Sequence, residues 1–519
     1  MLFSGYIIFK KAAVQLLYLT ERDKETYVSK IENQINVINN YYLINDIPES
    51  AINLYNNVLR FKEVALNSNR NIRTYLKNLP DSTVVEYRKL LSSLRNLENE
   101  KNNFLIEKKI VNILSSNNDF SKNLDKNNDF RLIQNCLDSN EYAVEIINTP
   151  FIDKTGKLSY KYFALIINSE VDVPIKIELF DKEDLDSILN VEGNAEVRYN
   201  NLYNVNLHNS ELKDLIWKPI ETIIDSSSKV FISLSGDLNK VALPSLFVGL
   251  SNEIHLVGST KNIVNLNHGY YNNLKPNIAF GGANFNSIIN IENTRSLSSI
   301  KNNIIAKIEK GIYKELPYTL KEVEEIKSVL SKENQNCSVL IENEASEINF
   351  RNIDGREYNF VHIATHGFYY PAEEIELNKK NAFNFNLDDS MGRSGILLSQ
   401  NIDFESSYKN DGIVTAREIS AMDLSNIDLI VLSACDTGIG DYRGSEGVFG
   451  LQRALKLSGV KKQIVSLWKV PDRETSELFT LFYKHYVTGW SAYQSLKKAQ
   501  IAMSSKYDAF YWAGFVLIE

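Results

Sequence analysis

The sequence predicts an α/β protein: a mostly parallel sheet flanked by helices, preceded by an α-helical segment over residues 1–135. Three observations carry this. The first 135 residues place apolar side chains at helical spacing and hold almost no glycine. From about residue 140 onward, short apolar runs bounded by turn residues alternate with helical patterns, as a parallel sheet covered on both faces requires. Between the two regimes, SSNNDFSKNLDKNNDF (115–130) is polar and turn-rich and reads as a hinge.

The opening MLFSGYIIFKKAAVQLLYL carries no charge ahead of its apolar stretch, and Lys10 and Lys11 interrupt that stretch. It therefore reads as a helix within a soluble domain rather than a signal peptide. No run approaches the ~18 apolar residues of a membrane span, so no membrane association is expected. Apolar stripes follow through Ile31 to Ile44 and Ile52 to Leu66. Another places Val84, Tyr87, Leu90, Leu91, Leu94 and Leu97 on one helix face. These helices suit either a packing scaffold or a degenerate tetratricopeptide-like array that binds a partner; no clean repeat period separates the two.

Beyond the hinge, EYAVEIIN and KYFALIIN flank the turn-forming DKTG (153–156) as a β-hairpin. KVFISLS, IHLVGS, NIAFGG, CSVLIEN, NFVHIAT, DLIVLSA and QIVSLWKV then read as short buried strands. After Pro317, Thr319 and Glu322 form a T-x-x-E capping box, with Leu320, Val323, Ile326 and Leu330 on the inner face of the helix. Ser491 and Gln494 form a second such box, and YWAGFVLIE supplies a final strand.

A chain of 519 residues exceeds what one core supports, so several domains are expected. Its 44% hydrophobic and 24% charged residues are those of an ordinary globular protein. The formal charge of −8 offers no basic footprint, so direct nucleic-acid binding is not expected. Cys136, Cys337 and Cys435 are too few and too widely spaced for a disulfide framework or a zinc pair. A reducing cytoplasm is the expected location, and no metal or cofactor is expected.

The chemistry concentrates at two strand ends. In LIVLSACDTGIG (429–440) the apolar run stops just before Cys435, and in NFVHIATHG it stops before His366, where Gly367 frees the backbone to turn. In parallel sheets such carboxyl ends line the crevice where ligands bind. A thiol is mostly protonated at neutral pH and needs a neighbouring base, which His366 can supply. His362 precedes His366 by four residues; on a strand the two lie about 13 Å apart, so they do not read as a shared metal pair and His362 reads as structural. Gly438, Gly440 and Gly444 suggest a rival dinucleotide-binding turn. No acidic residue closes a following strand at the expected distance, so these glycines read better as shaping the loop that carries Cys435.

The pair ATHG (364–367) and SACDTGIG (433–440), followed by GSEGVFGLQRALKLSGV, SLWKVPDRET and YWAGFVLIE, resembles the CHAT domain, a caspase-like cysteine protease module often found behind tetratricopeptide repeats in bacteria. SLSGDLNKVALPSLF, FGGANF, LPYTLKEVEEI and DGIVTAREI resemble further blocks of that family, and the likeness covers roughly 140–519. It implies a pseudo-caspase half over 136–345 and a catalytic caspase-like half over 346–519. In the first, from about residue 140 to 345, His208, His255 and His268 have only Cys337 for company, in an unlike setting.

The resemblance further implies that Cys435 attacks the scissile carbonyl, that His366 is the general acid–base, and that the backbone N–H groups of Gly367 and Cys435 form the oxyanion hole. Cys435 follows His366 by 69 residues. The caspase pattern spaces them by about 50. The surplus matches a polar insert from Tyr370 to Asp411, expected as a mobile loop at the mouth of the site. SLWKVPD takes the place that lines the S1 pocket in this clan. Trp468 would form an apolar wall there, and Asp472 or Asp436 would meet a basic P1 side chain. Asp472 has a second reading, as the N-cap of a helix starting near Arg473.

The function so implied is a cysteine endopeptidase that cuts a specific protein, such as a pore-forming effector, in a regulated bacterial defence or cell-death pathway, switched on by a protein partner. The alternatives are a silent pseudoprotease scaffold that binds protein partners and, more remotely, a nucleotide-binding α/β enzyme.

Overall fold

The computed structural model describes residues 4–16, 19, 21–66, 128–190, 193–203, 211–266, 271, 274–290, 299–371, 391–400, 410–434, 438, 440–443 and 447–519, with scattered positions between 82 and 109. Most of the stripe expected over 83–100 and most of the expected hinge therefore lie outside the described residues, as do His208, His268, Cys435 and Asp436.

Sixteen strands are described: β1 (Glu141–Ile152), β2 (Leu158–Asn168), β3 (Ile175–Asp181), β4 (Lys229–Ser233), β5 (Glu253–Leu256), β6 (Asn277–Ala283), β7 (Ser338–Glu342), β8 (Tyr358–Ala364), β9 (Gly367–Tyr369), β10 (Ser394–Leu397), β11 (Ile413–Thr415), β12 (Ile427–Ser433), β13 (Asp441–Arg443), β14 (Gly447–Phe449), β15 (Lys462–Ser466) and β16 (Phe515–Ile518). Eleven form one sheet in the order β3-β2-β1-β4-β5-β16-β15-β12-β8-β6-β7. Seven of its ten neighbouring pairs are parallel, which makes the sheet mostly parallel as expected. The hairpin at 153–156 forms because Asp153 Oδ1 accepts the Thr155 and Lys157 amides at 2.8 and 3.0 Å and Gly156 takes φ +87°.

The sheet reverses direction at β16, which runs parallel to β5 and antiparallel to β15. Strands β1, β4, β5 and β16 thus point one way and β15, β12, β8, β6 and β7 the other. The two carboxyl edges lie on opposite sides of the molecule. The sheet is also continuous across position 345, since β6 and β7 continue directly from β8.

Alternation along β1 and β2 feeds two layers. Ala143, Ile147, Phe163 and Leu165 pack with Leu54, Tyr55, Val58 and Leu59 of the helix Pro48–Phe61. Val144, Ile146, Tyr162 and Ala164 join the core under the helices Lys182–Leu189, Ala195–Tyr203 and Glu211–Trp217. At the carboxyl edge of the first set of strands, the N-terminal segment fills the crevice. Lys62 Nζ contacts Glu145 Oε2 at 2.9 Å, Ile146 O at 3.1 Å and Ser233 O at 3.2 Å. Beside it Glu63, at φ +55°, pairs with Lys456 at 2.8 Å. Gly258 packs so closely on this pair that a Cβ would strike both side chains.

Two local expectations are corrected. Thr319 and Glu322 do not cap: the helix runs Pro317–Lys332, with Leu316 as N-cap and the ring of Pro317 pre-set for the first turn. Glu322 instead turns inward, fully buried, and meets His362 Nε2 at 2.7 Å, while His362 Nδ1 meets the Tyr483 hydroxyl at 3.2 Å. The insert after Tyr370 is not all loop, because the apolar Ser394–Leu397 forms β10 between β9 and β11. The glycine turn after β12 leads into the β13–β14 hairpin rather than directly into a helix, so the rival nucleotide site lacks the helix N-terminus that would hold a phosphate. At the chain end, Ser491 accepts the Gln494 amide at 3.1 Å in the expected capping box.

Candidate active site

β8 and β12 are parallel neighbours whose last paired residues are Ala364 and Ser433. The Thr365 amide extends the ladder to Ser433 O at 3.2 Å. His366 stands two residues beyond its strand's last pair; by chain position, Cys435 stands the same two residues beyond the other. β8 is buried throughout, as an inner parallel strand must be.

His366 is half-buried, between the rings of Phe285 and Tyr313 with centroids at 4.9 and 5.2 Å. Its Nε2 lies 2.7 Å from the carbonyl oxygen of Lys314. A carbonyl only accepts, so Nε2 carries the proton and Nδ1 of the neutral ring is left as the basic nitrogen. Burial holds the His366 pKa below the usual imidazole value; the Lys314 carbonyl opposes that shift and the charge of Lys469 adds to it. The neutral, proton-accepting form is thereby favoured.

Gly367 begins β9 and faces Ile396 of β10. The Leu397 amide donates to His366 O at 2.9 Å, which makes the Gly367–Ile396 pair a non-hydrogen-bonded one. The Gly367 N–H consequently points out of the ladder, where it can meet a ligand.

The turn after β12 is clamped from β15. Ser466 Oγ donates to Ala434 O at 2.6 Å, and Ser466 O accepts the Gly438 amide at 2.7 Å. Gly438 lies against β15 so tightly that a Cβ would sit 2.8 Å from Leu467 Cδ2 and 2.9 Å from Ser466 O.

The two described S1 candidates differ. Trp468 is 3% exposed: Tyr199 stacks on it at 3.9 Å, Tyr203 lies at 5.3 Å, and its Nε1 donates to Phe510 O at 2.9 Å. Its indole is a packing element and presents no open wall, a correction to the expected pocket role. Asp472 is half-buried at the first position of the helix Asp472–Tyr486, whose N-cap is Pro471. Its Oδ2 accepts the Tyr318 amide at 3.0 Å, so it caps the neighbouring helix Pro317–Lys332 rather than its own. Burial pushes its carboxyl up to about 6, against the opposing Tyr318 N–H. Of the residues outside the expected set, Lys314 acts through a backbone carbonyl that any residue would supply, so its identity carried no signal. Ser466 could have been noticed as the polar end of QIVS.

His255 Nδ1 lies 2.6 Å from Glu519 and its ring stacks on Tyr493 at 4.0 Å, a structural setting.

The sheet is thus a mostly parallel α/β sheet with a histidine at one strand end, beside a neighbouring strand that leads into a cysteine. The chain belongs to the CHAT domain family, whose model matches residues 209–519. Among solved structures, two of the Saccharomyces cerevisiae separase–securin complex each match at 10% identity and TM-score 0.45, covering 100% and 99% of this chain but 40% and 37% of the other. The Arg-specific cysteine proteinase gingipain R matches at 11% identity and TM-score 0.32, over 58% of this chain and 65% of that one. The chain thus spans well under half of the separase chain it resembles. No curated protein matches it. Among the described residues, no helix is long and apolar enough to cross a membrane.

Proposed function

We propose that the protein is a cysteine endopeptidase acting through His366 and Cys435. The observation that carries this reading is His366 itself: its Nε2 is tied to Lys314 O, its pKa is lowered, and the Gly367 N–H next to it is turned out of the ladder. His366 Nδ1 takes the thiol proton of Cys435, and the sulfur bonds to the scissile carbonyl carbon. The oxyanion accepts from the Gly367 and Cys435 amides. The C–N bond breaks as the imidazolium returns its proton to the departing amine. Water, deprotonated by His366, then attacks the thioester and releases the acid and the free thiol.

Asp472, with Oδ2 engaged by Tyr318, and Asp436 are the acidic groups assigned to a basic P1 side chain. A cytoplasmic setting accords with the sparse cysteines. A single protein substrate such as a pore-forming effector, a bacterial defence or cell-death pathway and an activating protein partner are supported by family likeness alone. The division into a helical segment, a pseudo-caspase half and a catalytic half rests on the same likeness.

The test is a fluorogenic peptide library with Arg, Lys, Gln and Leu at P1, offered to wild type, Cys435→Ala and His366→Ala. Cleavage by the wild type that both variants abolish is expected. Cleavage that survives Cys435→Ala excludes the mechanism.

A further inference from the structure

We infer that Tyr313 is a positioning residue for His366, holding the imidazole in the orientation in which Nδ1 can serve as base; the inference rests on the protease reading above. The helix Ser299–Glu309 closes in a Schellman motif, in which Gly311, at φ +68°, donates its amide to Ile308 O and Ile312 donates to Lys307 O, each at 2.8 Å. This closure delivers two consecutive residues to one ring: the side chain of Tyr313 and the carbonyl of Lys314. Ile304 and Ile308 of the same helix share a core with Phe285 and Phe368, and Tyr313 packs against that core. The two rings that flank His366 are therefore mounted on one support.

The hydrogen bond from Nε2 does not orient the imidazole by itself. It is a single contact, and the χ2 torsion of a histidine is broad and roughly two-fold, so a ring held only there can still swing about it. Tyr313, edge-on at 5.2 Å and 61°, and Phe285, tilted at 4.9 Å and 50°, close the space on either side and leave the ring one plane. Nδ1 takes its direction from that plane. Such placement weighs heavily on rate, since a displacement of about 1 Å can cost about 10²-fold. The flanking rings also keep water from the imidazole, and burial is the largest influence on its pKa. The titratable groups around it are Lys469 beyond β15, Lys307, whose Nζ stands 6.0 Å from the Tyr313 centroid, and the Tyr313 phenol.

The experiment compares wild type with Tyr313→Phe, which keeps the ring, and Tyr313→Ala, which removes it. One readout is the ¹⁵N titration and tautomer of His366, assigned among the six histidines by the signal that His366→Gln loses. The other is kcat and KM for the best-cleaved fluorogenic peptide, with a melting curve to ensure that each variant is folded at the assay temperature. Tyr313→Phe is expected to match the wild type in both. In Tyr313→Ala the midpoint should rise toward the ordinary imidazole value, the tautomers should mix, and kcat should fall by about tenfold to a hundredfold with KM unchanged. Tyr313→Leu, apolar but without a planar ring, should shift in the same sense and takes the place of Tyr313→Ala if that variant is unfolded. An imidazole that titrates in Tyr313→Ala as in the wild type overturns the inference, and so does a kcat within about twofold of wild type. Equal losses in Tyr313→Phe also overturn it, because they place the effect on the phenol. A wild type that cleaves no peptide removes the protease reading, and the ring titration then decides alone whether Tyr313 positions His366.

Discussion

The imidazole Nε2 of His366 is held 2.7 Å from the carbonyl oxygen of Lys314, across 52 residues of chain. This single contact selects the tautomer. Replacing His366 by Ala is expected to lower kcat by about 10²–10⁴-fold, the range for loss of a general base. In wild-type protein, ¹⁵N spectra of the ring should show a protonated Nε2 and a bare Nδ1. The reverse tautomer would refute the assignment.

The pH dependence follows from the neighbours of that ring. Its pKa is lowered, so the neutral base persists below the usual imidazole range and the acid limb of kcat/KM should lie under 6.5. The charge of Lys469 contributes to that lowering. Lys469→Ala should move the limb toward higher pH, lowering the rate near pH 6 and leaving it unchanged near pH 8. Added salt should act in the same direction on the wild type.

Asp472 titrates near 6, above its ordinary 3.8, so the folded state holds this proton more tightly than the unfolded chain. Stability is lost as pH rises from about 4 through 6, and the full penalty stands at pH 7. Asp472→Asn keeps an acceptor for the Tyr318 amide and removes the charge. The variant should melt higher than wild type at pH 7, and the difference should vanish near pH 4. If Asp472 also reads the substrate, the same variant loses preference for Arg and Lys at P1, which the peptide library records.

Glu322 and His362 form a buried pair at 2.7 Å. Glu322→Ala strips His362 of a partner and should cost about 1–3 kcal/mol in urea unfolding. Activity per folded molecule should be unchanged. A large loss of kcat would bring this pair into the mechanism.

At Gly258, substitution by Ala drives a methyl into the Glu63–Lys456 pair. A cost of about 1–3 kcal/mol is expected, read as a lowered melting temperature.

The alternation of buried strands and helices made the α/β class legible, and the apolar run that stops before His366 marked the end of an inner strand. Pairing direction was not legible: β16 reads as one more apolar run, and only its parallel partner β5, far back in the chain, and its antiparallel partner β15 show where the sheet reverses. Glu322 misled because a glutamate three residues after a threonine looks like a cap wherever it falls, and the stronger signal was Pro317. Trp468 misled because an apolar ring suits a pocket wall and a core equally until Tyr199 is known to cover it. Lys314 was invisible, since a main-chain oxygen leaves no mark on residue choice.

The position of β16 also bears on time. It stitches together the two oppositely directed parts of the sheet, yet it is the last of these strands to leave the ribosome. Until Phe515 to Ile518 emerge, β5 and β15 each have an open edge. Vectorial synthesis thus delays assembly of the full sheet until β16 has been made.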